Sequence, residues 1–246
     1  MELEFVPLLG IQRDLYRLPR GRERFEAYLR TMVDSRNGDL ALPLVDMNPM
    51  GKEHLPPLLD RLLELDAEAV GAAATAAAQP ATADVAGAFR VGLVVADDAR
   101  GGWTDRCCNE LGHRFDGGAL YKRGWIVGLL WTSETPSKTG VRHEVLTCIH
   151  RLAHIRRRGP ATTIAAMLKQ EGEAMAAAGC DEPGLDPEDV AYTREIIEPY
   201  LAASDRPTVV ACLYGDEAAR RLGYRPLGFS PRAGLALALD AARRRR

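Results

Sequence analysis

Four apolar runs in this chain each end in a cluster of polar residues and then lead into a helix-like segment. They are Leu40 to Val45 before Asp46 and Asn48, Val91 to Ala96 before Asp97 and Asp98, Ile126 to Trp131 before Thr132 to Glu134, and Thr208 to Leu213 before Gly215 and Asp216. A recurring order of strand, loop and helix specifies an α/β fold, because parallel neighbours need a crossover and a helix supplies it. Continuous runs of Val, Ile and Leu fit strands covered on both faces. Right-handed crossovers bring every strand C-terminus to one edge. The four polar clusters are therefore expected to meet there, where ligands of open α/β sheets bind.

The expected architecture is a single α/β domain over residues 1–246, with a mostly parallel sheet of about four strands and helices on both faces. Residues 1–38 supply an N-terminal arm and a helix, 39–158 three βα units, 159–205 a helical insertion before the last strand, and 206–246 the last βα unit and a C-terminal helix. Pro43 marks the first strand as an edge or bulged one. Thr104 is expected to cap a helix from Asp105 to Phe115, and Asp186-Pro187-Glu188-Asp189 is a helix start, with a capping oxygen, a proline and first-turn acids.

Charge and cysteine usage narrow the function classes. The formal net charge is -2, whereas a dedicated nucleic-acid binder rests on excess cationic charge. No apolar run approaches the roughly 20 residues needed to span a bilayer, so neither nucleic acid nor membrane is an expected partner. The N-terminal Met-Glu-Leu-Glu lacks a basic region ahead of an apolar stretch, so no secretory signal is expected. The 5 cysteines are odd in number and irregularly spaced, against a disulfide framework and in favour of the cytoplasm.

The strongest constellation is Asp97-Asp98-Ala99-Arg100-Gly101-Gly102-Trp103-Thr104-Asp105-Arg106. Gly101 and Gly102 let a backbone approach a ligand closely, and the following helix start offers free amides and a positive dipole end to a phosphate or carboxylate. Arg100 and Arg106 could clamp such an anion in two-point fashion. Trp103 is a large apolar residue that a plain turn would not require, and Thr104 completes the ligand-binding set. A second cluster, Asp46 to His54, holds Asp46, Asn48, Lys52 and His54 within one strand-end loop. Lys52, if desolvated, is a base or Schiff-base former, and His54 titrates near neutrality. The third cluster, Thr132, Ser133 and Glu134, suits ligand hydrogen bonding; no Gly-x-Ser-x-Gly surrounds its serine. The bland reading of all three is capping and turn formation.

Other signals exclude more than they assign. Neither Gly-x-Gly-x-x-Gly nor a phosphate loop follows any strand, which disfavours NAD and ATP by those routes. His143, Thr147, His150 and His154 form a stripe opposite Val141, Val145, Ile149, Leu152 and Ile155 on one helix, facing solvent or the helical insertion. His-Glu-x-x-His is not met, because residue 151 is Arg, and no metal ligand set is expected. The expected function is an enzyme that binds a small anionic metabolite at the C-terminal edge of the sheet. Asp97, Asp98, Asp46, Lys52 and His54 would perform acid–base or metal-assisted hydrolase, lyase or isomerase chemistry, with a divalent metal left open as cofactor. The alternative is a non-catalytic ligand-binding or oligomeric assembly protein that uses the His/Arg helix and the helical insertion as an interface.

Overall fold

A computed structural model describes residues 1–99, 104–180 and 184–245. They divide into two compact units: Met1–Asn109 with Gly117–Cys148, and Glu110–Asp116 with Ile149–Arg246.

The first unit is α/β, built on a parallel sheet of three strands in the order β1-β2-β3: β1 (Glu2–Phe5), β2 (Ala88–Ala96) and β3 (Trp125–Trp131). Two of the expected strands are present. In β2, Val91, Leu93, Val94, Val95 and Ala96 are buried, as are Trp125 and Ile126 in β3, which matches a strand pair covered on both sides. The third strand is β1, drawn from the segment read as a packing arm. Its alternating Glu-Leu-Glu-Phe pairs residue for residue with Ala88 to Val91.

Helices α1 (Leu9–Leu15), α2 (Arg22–Met32), α3 (Leu55–Glu64) and α4 (Ala67–Ala78) lie between β1 and β2 in the chain. After β2 come α5 (Arg106–Phe115), α6 (Gly118–Lys122) and, past β3, α7 (Lys138–Arg158). Leu40 to Val45 is not a strand. Leu40 makes one isolated antiparallel bridge to Val33, and the chain then turns, with Leu44 N donating to Leu42 O at 2.9 Å. Pro43 and Leu44 are buried while Val45 is exposed, so the run is an irregular loop anchored in the core at Leu44.

Helix side chains complete the hydrogen bonding of the sheet. Beyond the end of β1, buried Gln12 of α1 takes the place of strand backbone: its Nε2 donates to Val95 O at 2.7 Å and its Oε1 accepts from Val95 N at 2.9 Å. On β3, Glu144 of α7 accepts from Leu129 N at 2.9 Å, and Cys148 Sγ donates to Val127 O at 3.5 Å.

The second unit is helical in its described residues. It contains α8 (Ile164–Ala178), α9 (Pro187–Ile197), α10 (Arg206–Tyr214), α11 (Asp216–Arg221) and α12 (Ala233–Arg243), with the C-terminal parts of α5 and α7. The expected strand at Thr208 to Leu213 is α10. Asp205 caps it by accepting from Thr208 N at 3.0 Å, and Pro207 sits in its first turn. Both devices start helices, and they override the β-branched Thr-Val-Val run. Helices α8 and α12 touch at Gly172, where a Cβ would lie 2.2 Å from Ala238 O.

An ionic cluster lies inside this unit. Glu171, fully buried, accepts from Arg151 Nε at 2.7 Å and Nη2 at 3.0 Å, and also from Arg114 Nη1. Arg114 Nη2 also reaches Glu110 at 3.2 Å, and Arg232 grips the same Glu110 with two bonds at 2.9 and 3.0 Å. Burial alone would push the Glu171 carboxyl up, but the flanking Arg151 and Arg114 outweigh it and hold it down at about 2. Arg151, which stands where His-Glu-x-x-His would need Glu, is the counter-ion of a buried glutamate. Of the histidine stripe, His154 meets α8, its Nδ1 lying 3.0 Å from Glu173.

Candidate acid–base site

The loop from Asp46 to His54 is pinned before it reaches the strand ends. Tyr16 OH donates to Asn48 O at 2.6 Å, and Tyr28 OH donates to Leu44 O at 3.1 Å. Asn48 folds the chain back, its Oδ1 accepting from Met50 N at 3.0 Å and its carbonyl from Gly51 N at 2.9 Å. The chain then enters α3 at His54. No side-chain cap bond holds that imidazole, so it is free to turn toward β2.

There it meets Asp97, the first residue past β2. His54 Nε2 lies 2.8 Å from Asp97 Oδ1, and Asn48 Nδ2 donates to Asp97 Oδ2 at 3.4 Å. Thr132, just past β3, adds a third contact at 3.0 Å to Oδ1. The same hydroxyl accepts from Asp98 N and Ala99 N, both at 3.0 Å. Its one proton therefore serves the carboxylates, Asp97 at 3.0 Å and Asp98 at 3.1 Å competing for it.

Asp97 is 2% exposed. Burial by itself would raise its pKa. The hydrogen bonds from His54, Thr132 and Asn48, with the His54 charge, outweigh that cost and keep the carboxyl below its ordinary value. An ionised Asp97 accepts, so the proton at the 2.8 Å contact belongs to His54 Nε2. With that proton on Nε2, the lone pair sits on Nδ1 whenever the ring is neutral. That atom is buried and has no hydrogen-bond partner among the described residues. Tyr16 lies close enough that, after burial, the Asp97 charge is the next cause raising its phenol pKa.

Asp98 has a different setting. It accepts from Ser133 N at 2.9 Å and Ser133 Oγ at 2.7 Å. Arg106 Nη1 lies 3.5 Å from Asp98, donates to Ser133 Oγ at 3.1 Å, and its guanidinium also pairs with Glu134 and stacks 5.1 Å from the centre of the Trp131 ring. Arg106 is thus committed to two carboxylates rather than held open for an anion. Ser133 donates to Asp98, which fits a positioning role and not a nucleophile.

The other expected site residues divide. Asp46 is buried and accepts from Asn109 Nδ2 at 2.5 Å. Lys52 is exposed, so burial does not supply the desolvation that a basic lysine requires. Thr104 does not cap α5: its hydroxyl donates to Asp97 O at 2.5 Å, and Asp105 supplies the cap by accepting from Cys108 N at 2.9 Å. Arg100, Gly101, Gly102 and Trp103 lie outside the described residues. Tyr16 and Asn109 are neighbours that sequence reading missed; neither carries a motif, and only the fold brings them to the loop.

Among the described residues, no group of three or more His, Cys, Asp or Glu side chains is placed to hold a metal ion, and no helix is long and apolar enough to cross a membrane. No protein-family model matches the chain, and comparison with curated proteins and with solved structures gives no match either.

Proposed function

We propose that the chain is an enzyme that moves a proton on a small metabolite, with His54 as the acid–base group and Asp97 as the carboxylate that orients it. The observation that carries this reading is the buried, unpartnered Nδ1 of His54 opposite a ring nitrogen bonded to an ionised carboxylate. A general base needs a fixed tautomer and an unengaged lone pair within hydrogen-bond reach of the substrate proton, and a buried polar atom without a partner calls for one. Of the five residues expected to perform the chemistry, this assignment gives His54 the proton transfer and Asp97 the orienting role. Hydrolase, lyase and isomerase reactions all use such a group. The anionic character of the metabolite rests on the sequence of Arg100 to Trp103, since Arg106 is neutralised by Asp98 and Glu134. The assembly-protein alternative draws less support, because His154 and Arg151 on α7 are occupied within the helical unit.

Incubation of the protein in deuterated water with a panel of small phosphates and carboxylates tests the proposal. Proton NMR and mass spectrometry would follow carbon-bound hydrogen exchange and conversion. At least one compound should react with the wild type and slow by about 10²–10⁴-fold with folded His54→Gln. Equal rates for the two proteins would refute the role given to His54.

A further inference from the structure

We propose that the helical unit carries a second site, a cleft between α8, α9 and α12 that takes a linear acyl chain ending in a carboxylate. The cleft encloses about 840 Å³, within the range of small-molecule pockets. Leu168, Ile197, Leu201 and Leu237 supply bulk to its walls, while Ala165, Ala176, Ala238 and Ala241 line it with the smallest side chain that still gives a methyl. The space exists because these positions are alanine; one larger residue on either helix would fill part of it.

The charges that line the cleft are unevenly spent. Glu173 is engaged by His154 at 3.0 Å and Arg158 at 3.7 Å, and Arg194 is engaged by Asp240 at 2.8 Å. Of the lining residues, Lys169 and Arg245 are exposed cations without a hydrogen-bonded or ion-paired side-chain partner among the described residues. Glu198 is the one lining acid in the same condition. Two uncommitted cations against one uncommitted carboxylate favour an anionic head group, and charge-assisted bonds from Lys169 and Arg245 would hold it. The uncharged lining residues offer only methyl and aliphatic groups, which match a hydrocarbon body. A short dicarboxylate or a sugar phosphate would leave those walls unused and its own polar groups unpaired.

Calorimetric titration with decanoate and with decanol, which has the same chain length and no charge, tests the site. Decanoate should saturate at one equivalent per chain. The exposed double variant Lys169→Glu/Arg245→Glu should bind decanoate at least about tenfold more weakly and decanol as before. Ala241→Trp, with its helical circular dichroism unchanged, should lose both ligands. His54→Gln should bind decanoate like the wild type, which separates this site from the acid–base dyad. The proposal is overturned by absence of saturable decanoate binding, by equal affinity for decanoate in the charge-reversed protein, or by unchanged binding in Ala241→Trp. A wild type that sediments as a dimer and an Ala241→Trp protein that sediments as a monomer would also overturn it, because a second copy would then fill the cleft.

Discussion

Glu171→Gln isolates the ionic cluster of the helical unit. The carboxylate is fully buried and bonded by Arg151 and Arg114. A fall of its pKa from 4.5 to about 2 corresponds to roughly 3 kcal/mol of folded-state preference for the ionised form. Glutamine keeps the shape and removes the charge, and removing one partner of a buried ion pair costs about 3–5 kcal/mol by independent reckoning. The two routes agree, so the variant should lose roughly 3 kcal/mol at neutral pH. The sign with pH follows from the depressed value: the contribution is complete above the unfolded pKa and is lost as pH falls through the folded one. At about pH 3 only roughly 1 kcal/mol should separate the two proteins. Urea unfolding followed by far-ultraviolet circular dichroism, together with hydrogen exchange of α8 peptides, measures the gap. A difference below about 1 kcal/mol at neutral pH, or one that fails to narrow on acidification, would refute the reasoning.

Other outcomes follow from single contacts. Gln12→Leu leaves the N–H and C=O of buried Val95 without their partners and should cost about 2–5 kcal/mol in chemical denaturation. Gly172→Ala should lower the melting temperature, although alanine is the better helix former by about 1 kcal/mol; the new methyl would lie 2.2 Å from Ala238 O, a backbone atom that cannot swing aside. Asp97→Asn removes the acceptor that fixes the His54 proton. Imidazole nitrogen-15 NMR should show Nε2 protonated and Nδ1 bare in the wild type, with a mixture of tautomers in the variant; an Nδ1-protonated wild type would contradict the assignment.

The sheet was legible where sequence and burial agree. Val91 to Ala96 and Ile126 to Trp131 read as strands because both faces are covered, so no polar alternation interrupts them. Thr208 to Leu213 looks the same for a different reason: as α10 it runs through the interior of a helical unit, with Val209 to Leu213 buried all round. Periodicity cannot separate those cases. Asp205 and Pro207 could have, being the same signature read correctly at Asp186-Pro187. Leu40 to Val45 is a loop anchored by buried Leu44 and not a strand, and Pro43 was the warning. The β1 strand was hidden by its brevity, though its period-two alternation was present. For the site, the sequence pointed to Asp97 and His54 separately, each at the end of an apolar run. Their pairing spans 43 positions, and the intervening Ala67–Ala78 helix and its surroundings carry no local signal of it. The two nitrogens of His54 take their roles only from that pairing, so the assignment of base and orienter lay beyond the reach of spacing.

Where Gln12 and Glu144 bond to the sheet, an amide stands in for the continuation of β1 and a carboxylate for a neighbour of β3. Added strands would have to evict these side chains before they could pair, so the native molecule offers little template for growth of a cross-β stack at those positions. The protection is only as durable as the docking of α1 and α7. Partial peeling of either helix uncovers strand backbone while the rest of the fold is still in place, which makes brief local detachment, rather than wholesale denaturation, the expected route to self-association on storage.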